Sequence, residues 1–557
     1  MPTVTLDHGD LCQLMKRKIS LKRLEYALPL IKCEVKSIKD GEITVEVTPD
    51  RPDLFSTEGI ARALRGFLSI EVGYPRFNVR KGRITVRVTA HTQRIRPYIA
   101  CTVLRNVKLT DAFVAQLMQL QEKIHETLGR RRRKASIGIY NLDSVEAPFT
   151  FTALKPNEIK FTSLGETRPM TAKEILTETE KGSDYAHIIR DLPRYPMLID
   201  VKGKVLSMPP IINSEETKVT AQTQNLFVDV TGMEEYLVNE VVNIITTATA
   251  ERKATLESVE IQYPNRRTLT ATLNPRRVRL DIDSVKALSG LNIDSDGVIQ
   301  LIKKVRMGVG RRSKRRLEIL VPPYRCDIIH PVDLIEDVVL GYGYDRIEPQ
   351  LPQTVTSGRE LPEIVFTRKV RELMVGFGFQ EVASYILTSR ENQTQKMRLE
   401  NSHKMVEIMN PRTNEFSVAR TWLLPSLLTF LSYNTHVDYP QRVFECGDTV
   451  LLDEETETKT RTESKVAAAI CDHKSSYETI QATVYGLLQN LGLDIWETKS
   501  REHPSFILGR TAHIWIGNEE IAILGEVHPA VLSDYGIPNP VTALEVNLTP
   551  LLKAKLG

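Results

Sequence analysis

Two spacings of apolar residues divide the first half of the chain. In EITVEV (42–47) and ITVRV (84–88) every second position is apolar, the period of a half-buried strand. From about Thr110 the period lengthens: Phe113, Leu117, Leu120, Ile124 and Leu128 fall on one side of a helix, which the run GRRRRK (129–134) closes. A shorter helix is predicted from about Ser56 to Leu68, with Pro52, Asp53 and Ser56 supplying turn and cap. SIGIYNL (136–142), MLIDV (197–201) and NLFVDVTG (225–232) then read as strands. Residues 240–260 suit a helix or a strand plus helix.

A boundary is expected near YPNRRT (263–268), where proline and polar residues interrupt the pattern. Strand, helix and strand follow over 268–347. The segment PQLPQTVTSGRELPE (349–363) has the composition of a linker, and beyond it helices such as FTRKVRELMVGFG alternate with strands such as RVFECGDTVLL, VAAAICD and TAHIWIG. That alternation suits an antiparallel sheet backed by helices. The expected fold class is therefore α+β and multidomain, with domains at 1–90, 91–266, 267–350 and 360–557. A chain of 557 residues is in any case too long for one core.

Charge alters this picture only locally. With 74 basic against 70 acidic residues the chain is weakly basic, so a polyanionic partner has to be met by patches. Two runs qualify, Arg130, Arg131, Arg132, Arg133 and Lys134, and RMGVGRRSKRR (306–316); both can contact phosphate, and both also read as solvated loops. The six cysteines are scattered, without zinc spacing or disulfide density, and fit buried thiols in a reducing compartment. No run approaches the roughly 20 apolar residues of a membrane span, and the N-terminus lacks signal-peptide character, so a cytoplasmic location and no membrane partner are expected. There is no phosphate-binding glycine loop, nucleophile elbow or zinc helix motif.

The densest candidate chemistry is CDIIHPVDLIEDVVLGYGYDRI (326–347). Pro331 suits a first helical position, and Gly341 with Gly343 suits the exit. Asp333, Glu336 and Asp337, at i, i+3 and i+4, share a face opposite Leu334, Ile335, Val338 and Val339, with Asp327 just upstream. Such carboxylates either form a solvated acidic face favoured by the helix dipole or hold a hard cation among them.

Read in order, several segments resemble the beta subunit of phenylalanyl-tRNA synthetase in its archaeal and eukaryotic form, over essentially the whole chain. TPDRPDLFSTEGIARALRG is similar to that family's N-terminal signature, and RPYIACTVLRNVKL with QLQEKIHETLGRRRRKASIGIYNLD resembles the start of its editing domain. PPYRCDIIHPVDLIEDVVLGYGYDRI resembles its small winged-helix-like domain; MNPRTNEFSVARTWLLPSLL, RVFECGDTV and GEVHPAVLSDYGI resemble its degenerate class II synthetase core. The four domains thus become an N-terminal α/β domain, an editing domain, a winged-helix-like domain with an acidic helix, and a catalytic-like antiparallel core.

The resemblance implies a ligase subunit that supports ATP-dependent attachment of phenylalanine to its tRNA by an alpha subunit, in an assembly of two alpha and two beta chains. It implies magnesium on Asp327, Asp333, Glu336 and Asp337. No aminoacylation residues are expected: in RVFE the class II arginine would stand two residues before the glutamate, whereas Arg442 and Glu445 are three apart, which on a strand points them to opposite faces. It further implies an editing pocket that hydrolyses mischarged tyrosyl-tRNA, because an apolar phenylalanine site rejects an added hydroxyl poorly. The matching pocket residues are Leu198, Ser207, Asn213, Asp229 and Thr231. Asp229 and Thr231, two apart on a strand, share a face, although D-V-T-G also reads as a capped strand end. The competing reading is an inert structural and tRNA-binding scaffold.

Overall fold

The computed structural model describes residues 1–353, 356–400 and 404–556, which fall into two compact units, Met1–Leu351 and Pro352–Gly557. Thr354 and Val355 of the expected linker lie outside the described residues.

In the first unit, the N-terminal residues form a three-stranded antiparallel sheet in the order Thr3–Asp7, Glu42–Val47, Cys33–Lys39, with helices His8–Met15, Leu21–Ala27 and Thr57–Phe67. Ser56 caps the last helix by accepting from Gly59 N, as its sequence position suggests. The helix predicted from Thr110 spans Asp111–Glu126; the Thr110 side chain caps it, and Phe113, Leu117, Leu120 and Ile124 are buried.

The centre is a ten-stranded sheet. Its path runs Ile212–Asn213, Val205–Met208, Tyr195–Ile199, Phe149–Leu154, Val79–Val88, Thr255–Tyr263, Tyr98–Arg105, Leu226–Gly232, Ala135–Asn141, with Arg266–Thr270 paired onto Thr255–Tyr263. Val228, Val230, Ile137 and Ile139 face one core, shared with the N-terminal sheet and with helices Asp111–Glu126 and Glu235–Ala250. Phe149, Phe151, Leu198, Tyr140 and Phe227 form a second core.

Two of the expected boundaries fall inside this sheet. Strand Val79–Val88, assigned by sequence to a domain ending at 90, lies parallel to and between Phe149–Leu154 and Thr255–Tyr263. Alternation marks a strand but not the sheet it joins. Pro264 and Asn265 are a two-residue hairpin turn between Thr255–Tyr263 and Arg266–Thr270, not a domain junction.

The rest of the first unit is a sheet in the order Arg276–Asp281, Arg316–Val321, Gly308–Arg312, with helices Ile282–Ser289, Ser295–Lys304 and Pro331–Tyr342. In the second unit a seven-stranded sheet runs Gln380–Glu381, Gln441–Leu452, Thr460–Cys471, Val541–Asn547, Glu519–Val527, Phe506–Ile516, Glu497–Ser500, antiparallel except at its first pair. Helices Pro362–Gly376 and Tyr477–Asn490 contribute to one core, and Leu424–Tyr433 with Pro529–Tyr535 to another.

Gly59 shows how closely the first unit is packed, since a Cβ there would lie 1.6 Å from the Asp53 carbonyl oxygen. Alanine is favoured over glycine in a helix by about 1 kcal/mol, but overpacking costs about 1–3 kcal/mol or more. Gly59→Ala is therefore expected to lower the thermal unfolding midpoint, and a calorimetric scan showing a higher midpoint would contradict this packing.

Candidate functional site

The path of the ten-stranded sheet ends at Ile212–Asn213 on one side and at Ala135–Asn141 on the other. They are joined not by strand pairing but by side chains. Asn213 Nδ2 donates to the Ile139 carbonyl at 3.2 Å, Arg132 Nη1 donates to the Ile211 carbonyl at 2.8 Å, and the Tyr140 hydroxyl lies 2.7 Å from Ser207 Oγ. Within this seam is a cavity of about 310 Å³. Ile137, Pro209, Ile211 and Ile212 give it apolar walls; its polar lining includes Gln121, Glu122, Arg132, Ser207, Asn213 and Asp229.

Asp229 sits opposite Gly138 on the neighbouring strand, with Tyr140 one diagonal step away on the same face. Gly138 makes their meeting possible: a Cβ there would stand 1.9 Å from the Tyr140 hydroxyl and 2.4 Å from Asp229 Oδ1. The Tyr140 hydroxyl donates to Asp229 Oδ1, which leaves the Ser207 hydroxyl to donate to the phenol oxygen. Burial pushes the Asp229 carboxyl up to about 7, against the Tyr140 hydrogen bond and the positive charge of Arg96. The same burial, with the Asp229 charge, holds the Tyr140 phenol well above its ordinary value.

A second polar group comes from helix Asp111–Glu126 and the turn after it. Arg132 Nη2 donates to Glu122 Oε1 at 3.0 Å, and its guanidinium lies 4.2 Å from the ring centre of Tyr185. His125 faces Glu122, with Nδ1 at 3.4 Å from Oε1. Its Nε2 accepts from Ile137 N at 2.9 Å, so the ring proton sits on Nδ1. Contact with His125, then the charges of Arg132 and Lys181, hold the Glu122 carboxyl down at about 2 despite burial.

The turn itself is strained. Arg130, Arg131 and Arg132 all have positive φ, at 48°, 52° and 64°, a conformation costing about 1–2 kcal/mol per residue. Arg96, buried enough to bring its pKa down to about 9, holds it: Nη1 and Nη2 donate to the carbonyls of Arg133 and Arg132, and Nη2 and Nε reach Ser136 Oγ and Thr231 Oγ1.

Ser207, Asn213 and Asp229 of the expected pocket thus line one cavity. Leu198 pairs directly with Ser207 but packs in the core containing Tyr140, and Thr231 is buried as a partner of Arg96; neither is among the lining residues. Sequence reading missed Gln121, Glu122, Gly138 and Tyr140. A glycine inside the alternating run SIGIYNL is the signal that marked the close approach. Within the basic run, Arg132 is 7% exposed and committed to the cavity wall, so it is not a free phosphate contact. Lys134 pairs with Glu234 at 2.9 Å, while Arg130, Arg131 and Arg133 are exposed.

The four carboxylates of the acidic helix are each engaged within the chain, two of them by one arginine. Asp327 is gripped by Arg325 through Nε and Nη2 at 2.8 and 2.7 Å, and Arg325 Nη2 also reaches Asp337 at 2.7 Å. Asp333 closes a capping box, accepting from Ile329 N and His330 N, and Glu336 lies 2.8 Å from Lys32 Nζ. Burial opposes ionisation at both buried carboxylates. At Asp327 the two-pronged Arg325 contact wins and holds the group at about 2; at Asp337, with one bond, burial wins and the pKa is raised. Asp337 is buried rather than on a solvated face. Among the described residues no group of three or more metal-ligating side chains is assembled, so the four are not gathered into one ligand set within this chain.

In the second unit Arg442 is exposed and Glu445 is 3% exposed, the opposite-face arrangement their spacing predicts. Arg420 Nη1 bonds Glu445 Oε1 at 2.7 Å, and Ser384 Oγ donates to Glu445 Oε2 at 2.6 Å.

Two family models match: the tRNA synthetase B5 domain over residues 278–344 and the phenylalanyl tRNA synthetase beta chain CLM domain over 347–548. The chain is similar to the phenylalanine–tRNA ligase beta subunits of Thermococcus kodakarensis and Pyrococcus furiosus. Identity is 40% to each, covering 99% of this chain and 99% and 100% of those proteins. The chain belongs to the phenylalanine–tRNA ligase beta-subunit family. Among solved structures it is similar to an N-terminal fragment of the phenylalanyl-tRNA synthetase beta subunit from Pyrococcus horikoshii. The TM-score is 0.60 at 37% identity, over 61% of this chain and 99% of the fragment. Nearly full-length coverage in both directions places every element of the cavity within the part shared with the family's beta subunits.

Two measurements probe these arrangements. Removing the guanidinium in Arg325→Met leaves two buried carboxylates without their partner, at a cost of about 3–5 kcal/mol, whereas excess chelator is expected to leave the unfolding midpoint of the purified chain unchanged. A midpoint that falls in chelator would restore a metal to the acidic helix. At Asp229 the folded state holds its proton up to about pH 7 and the unfolded state only to about 3.8, so stability falls as pH rises across that interval. The midpoint of Asp229→Asn relative to the native protein is expected to increase from pH 4 to pH 8; a flat difference would remove the buried carboxyl from the pH response.

Proposed function

We propose that this beta subunit supports aminoacylation by an alpha subunit and itself hydrolyses tyrosyl-tRNA wrongly made in place of phenylalanyl-tRNA. The observation that carries the editing reading is a carboxyl group, Asp229, only 1% exposed, at the lining of a largely apolar cavity. A phenyl ring fits apolar walls with or without a hydroxyl. A tyrosyl hydroxyl, however, finds acceptors in Asp229 and Ser207, and an ionised carboxylate has about four lone-pair sites, of which Tyr140 takes one. Phenylalanine offers nothing to that cluster and leaves it desolvated.

Hydrolysis falls to the remaining polar lining. Asn213 spends its amide N–H on Ile139 and Gln121 spends its own on the Ile137 carbonyl at 3.1 Å, so both keep a side-chain oxygen to orient water or the ester. Glu122 is ionised at neutral pH and fixed by Arg132. Its low pKa makes it a weak base, better suited to orienting a water than to taking a proton outright. The lining serines are already engaged, Ser207 with Tyr140 and Ser136 with Arg96. Water, rather than an enzyme hydroxyl, is the attacking group. The exposed Arg130, Arg131 and Arg133 stand on the turn that carries Arg132 into the cavity wall, in position for the phosphates of an incoming tRNA 3′ end.

The synthetic site belongs to the alpha subunit in this reading, with ATP and its magnesium used there and two alpha and two beta chains assembled. The Arg420–Glu445–Ser384 cluster, whose two charged members are buried, supports it: these polar side chains are satisfied internally instead of facing a substrate.

Release of tyrosine from tyrosyl-tRNA for phenylalanine, by the assembled enzyme and with phenylalanyl-tRNA as control, tests the editing role. The native protein is expected to clear tyrosine selectively. Asp229→Ala is expected to lose about 10- to 100-fold in selectivity, the range expected for one buried polar contact, and Asn213→Ala to slow tyrosine release. No release in the complete assembly, or unchanged selectivity in Asp229→Ala, would leave a scaffold.

A further inference from the structure

We propose that the first unit binds one small monovalent anion of chloride size between the N-terminal helix Thr57–Phe67 and the segments around Arg306 and Tyr324. The place is a cavity of about 20 Å³, enough for one water-sized guest and too small for a polyatomic oxyanion. The charged side chains lining it are Arg51, Arg62, Lys304, Arg306 and Asp53, four cations against a single carboxylate. That carboxylate is already occupied, since Arg51 grips both its oxygens at 2.8 and 2.9 Å.

Two of the lining cations carry unpartnered N–H groups. Arg62, 1% exposed, donates through Nη1 to the Thr247 carbonyl at 3.2 Å and lies 3.6 Å from Glu251, with its guanidinium 3.8 Å from the ring centre of Tyr324; its Nη2 has no partner among the described residues. Arg306, 3% exposed, bonds Glu71 Oε1 at 2.7 Å through Nη2 and the Glu71 carbonyl through Nη1, and its Nε is likewise unpartnered. Buried donors without acceptors cost about 1–3 kcal/mol each, more when charged. Asp53, Glu251 and Glu71 offset Arg51, Arg62 and Arg306, which leaves Lys304 as the lining cation without a carboxylate partner among the described residues, its Nζ reaching only the Gly341 carbonyl at 3.5 Å. A water satisfies the two donors but not that remaining charge. A halide does both, and by touching residues from the N-terminal module and from the module beginning near Arg276 it ties the two together.

Diffraction from crystals of the full chain grown in bromide distinguishes the two occupants. An anomalous peak in this cavity is expected, whereas ordered water there without bromide signal overturns the proposal. In solution the unfolding midpoint is expected to be about 2 °C higher in chloride than in gluconate at equal ionic strength. Ala63→Leu, which fills the space without removing a donor, is expected to abolish that difference; the native protein unfolding identically in both salts would also overturn the proposal. Should Ala63→Leu fail to fold, the bromide map of the native protein still separates halide from water.

Discussion

The candidate site depends on how the ten-stranded sheet closes. A sheet that curls until its ends face each other can complete the ladder, as a barrel does, or stop short and leave two unpaired edges. Here it stops short. Asn213, Arg132 and the Tyr140–Ser207 pair span the gap, and the space they leave is the cavity. Edge backbone groups that would otherwise be spent on strand pairing are thereby brought to the wall of a cavity.

Buried charge is treated in two ways in the same unit. Asp327 and Asp229 are both buried acids, but Asp327 meets a guanidinium edge-on and is held ionised, whereas Asp229 meets a phenol and keeps its proton to near neutrality. A guanidinium supplies charge and geometry together; a phenol supplies only a hydrogen bond, which does not offset desolvation. The first arrangement fixes structure. The second leaves a group whose protonation still responds to its surroundings, which is the character of a site rather than a strut.

Much of the architecture was legible because it rests on local signals. The caps at Ser56 and Thr110, the helix face from Phe113 to Ile124, and the opposite-face spacing of Arg442 and Glu445 follow from periods of 3.6 and 2. What was illegible depends on partners distant in sequence. Nothing near Asp327 and Asp337 says that one arginine will span both, and a run of four arginines does not reveal that its third member turns inward beneath Tyr185. Strand Val79–Val88 shows its alternation but not its neighbours, and Pro264–Asn265 reads as a break because hairpin turns and linkers draw on the same residues. Ser207, Asn213 and Asp229 came through resemblance and meet in space; Leu198 and Thr231, carried by the same resemblance, lie behind the lining.

The seam has a mechanical corollary. Its two rims are bridged by residues 67 to 79 positions apart in the chain, and none of these bridges is a rung of the sheet. Turning the Asn213 amide and the Arg132 guanidinium about their side-chain bonds would open the gap while every rung on either side stays made. The mouth can widen without unzipping the wall.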